Sequence, residues 1–120
     1  MITVAPAAEE DRRAAYAAAG LDEIQGQMLE LRDAGRVAGI CLYRLTGRTA
    51  ELLDGWADAP VLLDGLIRAA LHAAQRQGAV DAFCQKEELY PTLDSLDFVK
   101  SDKGRWILIE EFFSRPCRHL

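Results

Sequence analysis

Residues 49–84 read TAELLDGWADAPVLLDGLIRAALHAAQRQGAVDAFC, and this stretch decides the fold. Within it, Leu63, Ile67, Ala70, Leu71 and Ala74 recur at helical spacing, so Pro60 to Gln77 is a helix with one apolar stripe. Pro60 suits its first position and Gly78 its C-terminal stop. Ahead of it, Thr49 to Trp56 is a strand, with Gly55 near its end marking a bulge or a close backbone approach. Behind it, Ala79 to Cys84 is a short apolar run of the kind found in buried strands. A strand–helix–strand unit of this length predicts a parallel pair with a right-handed crossover.

Working outward, Val37 to Leu45 is the strongest strand. Val37, Gly39, Cys41, Tyr43 and Leu45 lie on one face and Ile40 and Leu42 on the other, so both faces are covered and the strand is central. Thr46-Gly47-Arg48 and Asp33-Ala34-Gly35 supply turns on either side of it, with Gln27 to Arg32 as the preceding strand. Ala7 to Ala19 is an Ala-rich helix with Glu9, Glu10 and Asp11 in its first turns, and Ile2-Thr3-Val4 a short strand before it. Downstream, Glu87 to Leu96 is a short helix that Pro91 confines to a first turn or a kink. Phe98-Val99-Lys100, the turn Ser101 to Gly104, and Arg105 to Phe113 predict a closing hairpin. The whole is an α/β (α+β) fold: a mixed, mostly antiparallel sheet of six or seven strands with helices on both faces. One domain is expected over residues 1–114, with a tail over 115–120.

At 120 residues the chain has room for one core. A net charge of −5 with scattered Lys and Arg argues against nucleic acid and against an anionic membrane surface. No apolar run is long enough to span a bilayer and no secretion signal is visible, so a cytoplasmic location is expected. The three cysteines, Cys41, Cys84 and Cys117, are widely spaced with no CxxC pair, and no metal site is expected. Cys41 and Cys84 fall in apolar strand patterns and read as small buried hydrophobes. Cys117 and His119 lie in the tail, the latter expected to be disordered.

The order of elements, with Gly35-Arg36-Val37-Ala38-Gly39 opening a strand, resembles the GNAT acetyltransferase superfamily. Leu66 to Gly78 looks like that family's cofactor-side helix, and Leu96-Asp97-Phe98-Val99 looks like its "L-G-F" signature before the last hairpin. The resemblance covers the chain from about Gln27, and the order of pieces carries it. It implies acetyl-CoA as cofactor, an amine of a small molecule or peptide as acceptor, and a donor site between the ends of the strands Thr49–Trp56 and Ala79–Cys84. Backbone groups of Leu53, Asp54 and Gly55, and of Leu62 and Leu63 at the helix start, would then touch the cofactor.

The family grips the cofactor diphosphate with a loop patterned Q/R-x-x-G-x-G/A, whose glycines let backbone N–H groups approach. Counting back from Leu66, those positions fall on Asp58, Ala59, Pro60, Val61, Leu62 and Leu63. An aspartate replaces the basic residue, bulky side chains replace the small ones, and Pro60 removes a donor. Asp58 is also expected to cap the helix and so to compete for the same N–H groups. Cofactor binding is therefore expected to be weakened or absent. The family's general-acid tyrosine lies five residues before the phenylalanine of the signature, which is Leu93 here; Tyr90, one turn earlier, is the candidate in its place, and as a residue type it equally suits packing at a rim. Glu51 lies on the strand where the family often keeps a base.

Among the other residues, His72 reads as a partly exposed helix position, Trp106 as core and Trp56 as a pocket wall. The apolar segment Trp106-Ile107-Leu108-Ile109 reads as an edge strand that a homodimer would cover. Two functions remain open: an N-acyltransferase with a weakened donor site, and a non-catalytic binding or regulatory module that keeps only the scaffold.

Overall fold

The structure, a computed structural model, describes residues 1–114. Seven strands form one sheet in the order β1-β2-β3-β4-β5-β7-β6. They are β1 (Ile2–Pro6), β2 (Gly26–Asp33), β3 (Arg36–Thr46), β4 (Thr49–Ala57), β5 (Asp81–Cys84), β6 (Val99–Ser101) and β7 (Gly104–Leu108). The helices are α1 (Glu9–Ala18), α2 (Pro60–Arg76), α3 (Tyr90–Ser95) and α4 (Ile109–Ser114), with a 3-10 turn at Glu87–Leu89 leading into α3. The pair β4–β5 is parallel and the other pairs are antiparallel. The expected crossover through α2 is therefore present.

Strand alternation sorts the apolar side chains into two layers. Leu29, Leu31, Cys41, Tyr43, Ala50, Leu52, Ala82 and Cys84 face the buried stripe of α2, namely Leu66, Ile67, Ala70, Leu71 and Ala74. Leu89, Leu93, Leu96 and Ile109 complete this larger core from α3, its lead-in turn and α4. On the other face, Met28 and Leu42 meet Tyr16 of α1. The Tyr16 hydroxyl lies 2.7 Å from the carbonyl of Gln27 and 2.9 Å from that of Tyr43, which fixes α1 to both strands. Helices thus cover both faces, but α1 packs only on β2, β3 and Leu53 of β4. Among the described residues, no helix is long and apolar enough to cross a membrane.

Three expectations are corrected. Residues 109–114 are helical rather than the end of a strand: Asp81, the first residue of β5, pairs with Leu108, so the ladder has no partner beyond it. The amide of Ile109 donates instead to the Val80 carbonyl, and the chain enters α4 with Glu110 and Glu111 in the first turn, where acidic side chains suit the helix dipole. β7 is also not an edge; it lies between β5 and β6, so the apolar edge that a second copy would cover does not exist there. Trp106, finally, is not core but half-buried on the sheet face that α1 leaves open. Cys117 and His119 lie outside the described residues.

The backbone explains one departure from the family signature. Asp97, at the glycine position of Leu96-Asp97-Phe98, has φ +69°, the left-handed region that glycine normally supplies. Aspartate tolerates that region better than most residues, so the turn after α3 is kept without the glycine.

Candidate functional site

β4 and β5 pair only from Thr49/Asp81 to Leu52/Cys84, and beyond this register the two chains part. The β3–β4 register shifts between Leu42 and Tyr43, where Leu42 opposes Asp54 and Tyr43 opposes Leu52. Leu53 is the extra residue of this bulge, which turns the strand just where its neighbour leaves it. The outer half of β4 then faces the segment after β5 without ladder bonds between them, and this unpaired seam is the candidate cleft.

The sequence-chosen residues are distributed around this cleft as follows. Leu53 packs toward the small core under α1. A side-chain carbon at Gly55 would sit 3.2 Å from the Ile40 carbonyl oxygen and 3.8 Å from Leu89, so the strand runs close to its neighbours there. The Gly55 amide donates to Asp54 Oδ1 at 2.8 Å, and Asp54 Oδ2 lies 4.0 Å from Lys86 Nζ across the opening. The backbone donor that the cleft offers is therefore already engaged by the protein's own carboxylate.

Glu51 opposes Phe83 on β5 and Arg44 on β3, and alternation puts it on the open face, away from Ala50 and Leu52. Tyr90 packs against the larger core on the opposite face. The Arg105 guanidinium lies over its ring at 4.1 Å, and its hydroxyl comes close to Gly104, which with φ +105° has room only for hydrogen at that point. The sheet stands between Glu51 and Tyr90, so they do not converge on one atom. Arg105 is itself held by Asp94, whose carboxyl the guanidinium pulls below its ordinary range.

Burial and nearby charge keep the cleft's thiol neutral. Cys84 is raised to about 11, first by burial and further by the carboxylates of Glu51 and Asp54, while a hydrogen bond from its neighbour Lys86 opposes the shift. Cys41 is raised to about 12, again by burial first. Neither is a nucleophile near neutral pH, because the thiolate is the reactive form. Among the described residues no group of three or more His, Cys, Asp or Glu side chains could hold a metal ion.

The start of α2 departs furthest from the expected cradle. Only Asp58 and Ala59 connect β4 to α2, and Pro60 to Leu63 are the first turn of the helix rather than a loop. The amides of Leu62 and Leu63 both donate to the Ala59 carbonyl, at 3.0 and 3.1 Å. Asp58 does not cap the helix as expected, since no side chain does; its carboxylate reaches 2.8 Å to Arg36 at the start of β3. Beside this helix end, Pro60, Val61 and Asp64 face Pro91, Thr92 and Ser95 of α3 across a pocket of about 460 Å³. The charged group in that lining is the Asp64 carboxylate, already paired with Arg68 at 2.6 Å, so the lining itself offers phosphate no cation.

No protein-family model matches the sequence, and no curated protein matches it. Solved structures do match. The ribosomal-protein-S18-alanine N-acetyltransferase of Escherichia coli superposes with a TM-score of 0.68 at 16% identity, over 100% of this chain and 99% of that one. A GNAT family acetyltransferase from Elizabethkingia anophelis, solved with acetyl-CoA bound, gives 0.67 at 10% identity over 84% and 78%. Ard1 from Thermoplasma volcanium gives 0.65 at 15% identity over 89% and 97%. At these identities the likeness is one of architecture, a mixed and mostly antiparallel seven-stranded sheet with helices. The chain has the fold of the GNAT acetyltransferases.

Proposed function

We propose that the protein is a GNAT-type N-acyltransferase with a curtailed donor site, in which the acyl thioester lies along β4 and the diphosphate is left without a loop to hold it. The observation that carries this reading is the cleft itself: β4 and β5 part after Leu52 and Cys84 while the bulge at Leu53 turns β4 outward. An acceptor amine would attack the thioester carbonyl carbon, the C–S bond would break, and amide and thiol would be the products. Glu51 takes the proton that the amine loses and passes it to solvent, from which the departing thiolate regains one. The Gly55 amide would steady the developing oxyanion once Asp54 has swung away from it.

A second reading, a binding or regulatory module without chemistry, is favoured by the two-residue β4–α2 connection and by Asp54 sitting on the Gly55 amide. Calorimetry with acetyl-CoA and CoA, together with mass spectrometry of amine mixtures incubated with acetyl-CoA, separates the two. Under the first reading acetyl-CoA binds far more weakly than micromolar, and Asp54→Ala, which releases the amide and removes a negative charge, tightens it by about tenfold, the equivalent of one hydrogen bond. Absence of binding and of acylated product for both the parent and Asp54→Ala at millimolar acetyl-CoA would leave the second reading standing.

A further inference from the structure

The open half of the sheet carries a pocket that the donor cleft does not use. One row of directly opposed residues crosses four strands there: Glu51 on β4, Phe83 on β5, Trp106 on β7 and Val99 on β6. Opposed residues share a face, so two aromatic side chains stand together on it. One step along, Asp81 of β5 receives the Thr49 hydroxyl at 2.7 Å on Oδ1 and the Trp106 indole N–H at 2.9 Å on Oδ2. Thr49, Asp81, Phe83 and Trp106 line a pocket of about 370 Å³ that the turn between β6 and β7, with Asp102 and Lys103, closes from one side. That volume is within the range of small-ligand sites.

We infer that this pocket binds an organic ammonium ion, with the charge against Asp81 and the alkyl part on Phe83 and Trp106. Both groups that hold Asp81 are neutral donors, so the carboxylate is oriented but its charge is not cancelled. Among the described residues no cation pairs with it within ion-pair distance. An indole face attracts cations more strongly than the other aromatic rings do, and here its N–H already leans on a carboxylate. Asp102 in the lining adds a second negative charge, and Glu51 stands beyond Phe83 in the row. Lys103 stands at the rim as the competing cation. A neutral ligand of the same size gains no charge pairing from Asp81 and an anionic one is repelled by it, so the pocket selects by charge. The inference does not depend on acyl transfer: it concerns the face of β5 and β7 and holds with the donor cleft empty.

The test uses a Trp56→Phe variant of the full chain, in which Trp106 is the sole indole because the chain has two tryptophans. Its fluorescence and its indole N–H resonance are followed while n-butylammonium chloride is added at constant ionic strength, with sodium butyrate and n-butanol as controls. Saturable shifts with the ammonium salt alone are expected. Asp81→Asn should weaken binding at least tenfold, and its amide can still accept from Trp106 and donate to Thr49, so the fold is preserved. Lys103→Glu, at an exposed turn, should strengthen binding several-fold, and it keeps the inference testable even if the Asp81 variant does not fold. Equal responses to butylammonium and butanol, or an affinity unmoved by Lys103→Glu, overturn the inference.

Discussion

At the scale of single residues, Tyr16 shows how a polar atom is made to serve a core. Its ring is 1% exposed, and its hydroxyl reaches the Gln27 and Tyr43 carbonyls on two strands. Gly26 is what lets it in: a side-chain carbon there would stand 2.6 Å from the Tyr16 ring. Tyr16→Phe keeps the packing but leaves buried acceptors unsatisfied, so it should lower unfolding free energy by about 1–3 kcal/mol, measured by urea denaturation. Burial also raises the Tyr16 hydroxyl to about 12 and the Cys41 thiol to about 12. In the unfolded chain these groups ionise near their ordinary values of 10.0 and 9.0, so the folded form retains protons that the unfolded form gives up. Their contribution is complete below pH 9 and is lost as pH rises from there toward 12. The urea midpoint should therefore fall steadily above pH 9, and Cys41→Ala should flatten the early part of that fall. A midpoint that is constant from pH 8 to 11, or rapid alkylation of native Cys41 at pH 8, would refute the assignment.

At the scale of elements, the connection between β4 and α2 is the feature that decides donor binding. Counting back from Leu66 assumes a loop of family length, and the last four positions so found, Pro60 to Leu63, prove to be helix, with the Leu62 and Leu63 amides already bonded to Ala59. Point changes alone are then the wrong remedy. Val61→Gly with Leu63→Gly should cost about 1 kcal/mol each through helix propensity, and Asp58→Arg sets two arginines together by losing the Arg36 pair. None of them lengthens the connection. Inserting a basic, glycine-rich segment of about six residues between Ala59 and Pro60 should instead improve acetyl-CoA affinity by an order of magnitude or more, read by calorimetry; if the three point changes do as well as the insertion, connection length is not the cause. The same comparison shows what the sequence made legible. Periodicity found α2, β3 and β4 because their apolar stripes are long. It misread Ile109 to Phe113, since an apolar run bears no mark of where its partner strand begins, and that limit is set by Asp81 across the sheet. The aromatic pocket was equally hidden: Thr49, Asp81 and Trp106 are far apart in the chain, and only register brings them together.

At the scale of the whole molecule, the question is whether the sheet offers an edge to a second copy. The apolar sequence Trp106 to Ile109 suggests one, but β7 is flanked on both sides. The true edges are β1 and β6. β6 has three residues, all exposed, with Lys100 at its centre, and β1 is an exposed strand of five that ends in Pro6. Short length, a central lysine and a terminal proline are the devices that keep an edge from templating another strand. Ile2 and Val4 are the large apolar side chains on β1, at 51% and 38% exposure, too few to form a large patch. Edges of five and three residues are far short of the roughly 20–30 residues a side of a standard stable interface. The chain should therefore sediment as a monomer of 13.3 kDa at concentrations of tens of micromolar. A dimer in that range would locate an interface elsewhere, and the open face of Phe83, Trp106 and Val99 is where to look. Trp106 fluorescence that changes with protein concentration, in the Trp56→Phe background, would identify that face, and the ammonium pocket would then be closed in the dimer.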